Sequence, residues 1–100
     1  MSEDPGLTER LRARIEADFG PDRAARVVDA LRKHRPPLAA LQDRERLLTA
    51  IVLMARGDQS RLDTALSMSG RDWRDTLVAS GLANFDWPTR LRDELGDAPE

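Results

Sequence analysis

A chain of 100 residues with 34% charged and 40% hydrophobic side chains and a formal net charge of -2 has the size and composition of one soluble globular domain. Cysteine is absent, which excludes disulfides, cysteine–zinc sites and thiol nucleophiles. The acidic balance disfavours general binding to nucleic acid, which draws on a basic surplus.

Residues 1–6 are acidic and lack the basic and apolar regions of a secretory signal. The longest apolar run, residues 50–55, is far too short to span a bilayer. These features lead us to expect a cytoplasmic protein without membrane contact. Among the sixteen basic residues only Lys33 is a lysine. That arginine bias, with abundant alanine, suggests a GC-rich bacterial genome.

No segment alternates as a strand would. Leu, Ala, Arg and Glu favour helix, and the aspartates favour caps. Gly20-Pro21, Pro36-Pro37, Gly57, Gly70, Gly81 and Gly96 punctuate the chain into helix-length segments. The first helix is expected over residues 8–18, with Thr8 as N-cap and Leu11, Ile15 and Phe19 on its buried stripe. The second is expected over 22–34, where Ala24, Val27, Val28 and Leu31 keep helical spacing. The third, about 43–56, carries Leu47, Leu48, Ile51, Val52 and Ala55 on one stripe, and Leu53 and Met54 widen it. A helix apolar on most sides is normally surrounded by others, so it belongs at the centre.

The fourth helix is expected over 59–68, capped by Asp58 or Ser60, with capping-box spacing between Ser60 and Asp63. Leu62, Ala65 and Leu66 would face inward. A fifth runs from Asp72 to Gly81 and would bury Trp73, Leu77 and Val78. The sixth begins at Asp86, read as the cap of Trp87-Pro88-Thr89, places Trp87, Leu91 and Leu95 on one face, and stops at Gly96. Trp73, Phe85 and Trp87 are three of the four aromatic residues. Such rings bury the most surface per residue, so this run should pin the fold, with both tryptophans largely buried. The expected organisation is an all-α, compact orthogonal bundle of five or six short helices spanning 7–96, with flexible tails at 1–6 and 97–100.

The candidate sites are few. His34 is the only histidine, and any Ser-His or His-based proton relay would require it. Its place in Arg32-Lys33-His34-Arg35 at a helix end matches a cationic C-terminal cap. Arg23, Arg26, Arg32, Lys33 and Arg35 form a local basic segment against Asp22 and Asp29. In an acidic chain without interleaved aromatics, this reads as a solvated face or a match for an acidic partner. The pair at 62–78, joined by Ser69-Gly70-Arg71, has a helix-turn-helix look that would aim Arg71 and Arg74 at DNA, but Asp72 and Asp75 would repel phosphates. No EF-hand, HExxH or glycine-rich phosphate motif is present, and neither metal nor organic cofactor is expected. Leu53 and Met54 are core if the bundle covers them. If it does not, they become a partner surface together with the basic segment.

Within Arg71–Gly96, Asp-Trp-Arg-Asp leads into Leu-Val-Ala-Ser-Gly-Leu-Ala and then Asp-Trp-Pro-Thr-Arg-Leu. This pattern resembles the C-terminal signature of small uncharacterised helical proteins of high-GC actinobacteria. Residues 48–66, with the Ala-Arg-Gly-Asp turn, are similar as well, so the resemblance covers about the last half of the chain. It implies a helical fold and an intracellular bacterial origin. That family has no assigned activity, and no catalytic residue carries over. The functional expectation is a non-catalytic module acting through a protein partner or self-association, with a nucleic-acid-binding regulator as the alternative from a different class.

Overall fold

In the computed structural model, residues 6–34 and 44–96 are described. They form six helices: α1 Glu9–Phe19, α2 Pro21–Lys33, α3 Arg44–Ala55, α4 Gln59–Arg71, α5 Trp73–Ser80 and α6 Trp87–Leu95. Among the described residues there is no strand, so the all-α expectation holds. Of the expected tails at 1–6 and 97–100, residues 1–5 and 97–100 lie outside the described residues, as does Arg35 of the basic segment. Gly6 is buried against Arg44.

The central helix is α3. Leu47, Leu48, Thr49, Ala50, Ile51, Val52 and Ala55 are all buried, and α3 packs on α4 and α5 most extensively and also on α1 and α6. Seven consecutive or near-consecutive buried positions leave little of the cylinder facing water, as its all-round apolar sequence requires. Leu7, Leu11, Ile15 and Phe19 recur every fourth residue along one face of α1, all at 5% exposure or less. Thr8 caps α1 by accepting from the Leu11 amide at 3.3 Å. Helix α2 starts on Pro21, where no donor is needed, and packs chiefly on α1.

Local chemistry sets the remaining boundaries. Asp58 caps α4, accepting from the Ser60 and Arg61 amides, and Asp72 does the same for α5 with Arg74 and Asp75. The Ser60–Asp63 capping box is replaced by a Gln59–Asp63 bond at 3.0 Å. Helix α4 continues to Arg71 rather than stopping at Met68, because Ser69 turns inward to bond the Leu66 carbonyl and Asp72 closes the last turn onto Met68. Helix α5 ends in a Schellman arrangement: Gly81 is left-handed at φ 83, its amide bonds Val78, and the Leu82 amide bonds Leu77.

Several expectations about the C-terminal third are corrected. Val78 is 67% exposed and Phe85 96% exposed, and neither belongs to the core. The two-turn α5 buries Thr76 and Leu77, and the next position along the helix falls on the outer face. Trp73 and Trp87 are half-buried and pack against the core from its edge. Asp86 makes no side-chain cap on α6. It lies 3.5 Å from Arg90 instead.

Arginines tie distant helices together. Arg10 bonds Glu45 of α3 and the Gly96 carbonyl beyond α6. Arg14 bonds Asp18 one turn on, and Glu94 of α6 through both its carboxylate and its carbonyl. Arg46 donates to the Leu82 carbonyl at 2.7 Å while its guanidinium lies 4.8 Å from the Trp87 ring centre. A planar five-donor head can serve two acceptors in one geometry, which an ammonium does less well. The arginine bias therefore has a structural use.

Candidate interaction surface

The last turn of α3 projects Leu53 and Met54 toward the end of α5. Both are partly buried and pack against the core. With Arg56, Ala79 and Ser80 they line a pocket of about 250 Å³. A smaller hollow of about 80 Å³ shares Leu53 and Ser80 and runs on over Leu82 to Arg90, Asp93 and Glu94 of α6. Together they make a shallow, open groove between α3, α5 and α6, in which Leu53, Met54 and Leu82 stand beside the polar and charged Arg56, Ser80, Arg90, Asp93 and Glu94. Val78 and, beyond Gly81, the run Ala83-Asn84-Phe85 are exposed. No periodicity could find Phe85, since its exposure depends on how the α5–α6 connection turns.

The basic segment is less basic in space than in sequence. Arg23 lies over the Phe19 ring at 5.4 Å and donates to the Gly57 carbonyl at 3.3 Å. Lys33 pairs with Asp29 at 3.0 Å. Arg26 and Arg32 are exposed on the outer face of α2 with Asp22 and Asp29 among them. The groove and this face involve different helices, so Leu53 and Met54 are not brought together with the α2 cations. In the 62–78 pair, the expected three-residue turn is helical and Asp72 alone separates α4 from α5. A DNA-reading pair has a turn of three or four residues. Arg74 lies over the Trp73 ring at 5.4 Å.

His34 is brought to Ser69, Nε2 to Oγ, at 2.5 Å. The hydroxyl donates its proton to the Leu66 carbonyl at 3.1 Å, which leaves it to accept from the ring. Ser69 is fully buried, and among the described residues no carboxylate pairs with the ring. The pair acts as a clasp between α2 and α4. Among the described residues, no group of three or more His, Asp or Glu is arranged to hold a metal ion, and no helix is long and apolar enough to cross a membrane.

No family model, no curated protein and no solved structure matches the chain.

Proposed function

We propose that this is a small cytoplasmic bacterial protein that works without catalysis, through contact with another protein. The observation that carries the reading is the placement of Phe85, an aromatic ring 96% exposed on the α5–α6 connection. It follows the exposed Val78 on the same stretch of chain after α5 begins. Single exposed apolar residues are common, but a large aromatic held out by an ordered connection is the kind of side chain that anchors protein contacts.

The test uses Phe85→Ser and Val78→Ser in the full chain. Both positions are exposed, so folding and thermal stability should remain those of the parent. Cross-linking in the native host, compared between parent and double variant, should lose a specific partner protein in the variant. An identical set of cross-linked proteins would count against this surface. Nucleic-acid binding has less support, because Arg23 and Lys33 are engaged within the domain and Asp72 and Asp75 flank Arg74.

A further inference from the structure

The C-terminal end of α2 is held by side chains from two other helices. Arg44 of α3, only 6% exposed, donates through Nη1 to the His34 carbonyl and through Nη2 to the Leu31 carbonyl, both at 2.9 Å. It thereby pairs the His34 carbonyl at the helix end and shares the Leu31 carbonyl with the His34 amide, which donates to it at 3.1 Å. From α4, Ser69 accepts from the His34 ring. His34 is thus gripped through its backbone by a fixed cation and through its ring by a neutral hydroxyl.

The surroundings of the ring set what happens when it gains a proton. From α4 come Ser69 and Gly70, where a Cβ would lie 3.8 Å from the ring Cε1. From α3 comes the Arg44 guanidinium. On its own helix stand Arg32 and Lys33, the latter already paired with Asp29. Among the described residues no carboxylate is placed to neutralise an imidazolium. Burial and, second, the Arg44 charge hold the ring toward its neutral form. The helix dipole would favour a cation here, and Arg44 already supplies one, bonded to two carbonyls at this end.

We propose that the end of α2 is an acid-sensitive latch, in which protonation of His34 sets two cations against each other and releases the last turn of α2 from α3 and α4. The latch is closed when His34 is neutral, above the ordinary histidine value of 6.5. It opens as pH falls below that value, because the closed form resists the proton that the open form accepts. Helix α2 packs chiefly on α1, and Leu31 is the fully buried residue that its last turn carries.

The chain has one histidine, so its ring resonances in an NMR titration of the full chain are unambiguous. Between about pH 7.5 and about pH 5, the ring should titrate below the ordinary value. Amide protection at residues 31–34, corrected for the intrinsic pH dependence of exchange, should fall severalfold while that of α3 is retained. His34→Gln keeps a donor for Ser69 and takes no proton, so it should abolish the fall. A ring that titrates at or above the ordinary value overturns the proposal. So does an equal response in His34→Gln and the parent. The two parent measurements decide the matter on their own if the variant does not fold.

Discussion

Arg10 and Glu45 meet across α1 and α3 in a two-point ion pair, Nε to Oε2 and Nη2 to Oε1, each at 2.8 Å. Their side chains are 14% and 20% exposed. Thr8, the cap of α1, also donates to the same carboxylate, so one glutamate fixes both the start of α1 and its angle to the central helix. Glu45→Gln should destabilise the domain by about 2 kcal/mol near neutral pH, the range for bonds to a charged group. Denaturant unfolding checks this.

The same carboxylate gives an acid limb. Arg10 first, and then Thr8, hold Glu45 below its ordinary value of 4.5 against the opposite pull of burial. The folded state therefore binds this proton less readily than the unfolded state. Its contribution is complete above 4.5 and is lost as pH falls through the lower folded value. Stability curves of the parent and Glu45→Gln should converge as the solution is acidified through that window. Parallel curves throughout would show that the pair contributes no linkage.

Gly57 follows the end of α3 at φ 79, and a Cβ there would lie 2.4 Å from the Asp18 carbonyl oxygen of α1. Backbone cannot swing aside as a flexible side chain can. Gly57→Ala combines left-handed strain with that clash and should cost about 2–4 kcal/mol, seen as a lower unfolding midpoint. A loss below about 0.5 kcal/mol would mean that the close approach of α1 to this turn is wrong.

The aromatic residues should separate by burial rather than by size. Trp73→Ala and Trp87→Ala, each removing a half-buried ring, should cost about 1–3 kcal/mol, less than the roughly 3–5 kcal/mol of a fully buried aromatic. Phe85→Ala should fall within about 0.5 kcal/mol of the parent. Thermal melts of the three variants provide the comparison, and a large loss at Phe85 would place its ring in the core.

Two aspartates that each precede a helix should behave differently. Asp58→Ala removes bonds to two open amides of α4 and should cost about 1 kcal/mol. Asp86→Ala removes no cap, only an exposed pairing with Arg90, and should cost a few tenths of a kcal/mol at most. Equal losses in matched unfolding curves would argue that Asp86 caps α6 after all.

Helix number, helix order and the central place of α3 were legible in the sequence by itself. Glycine and proline act through the local backbone, and Leu47, Leu48, Ile51, Val52 and Ala55 declare a buried helix by their density alone. Asp58 and Asp72 were legible as caps for the same reason, since a cap reaches only two or three residues along the chain. What the tertiary structure decided is everything that depends on which helices meet. Arg10 and Glu45 are 35 positions apart, and Arg14 and Glu94 are 80 apart, so periodicity holds no signal for their pairing. His34 reads as a helix-end cation in sequence, yet Ser69 and Arg44 make it a clasp. Val78, Phe85 and the two tryptophans share apolar chemistry with the core, but burial belongs to a position in space. The short α5 and its turn to α6 leave Val78 and Phe85 outside and both tryptophans at the edge.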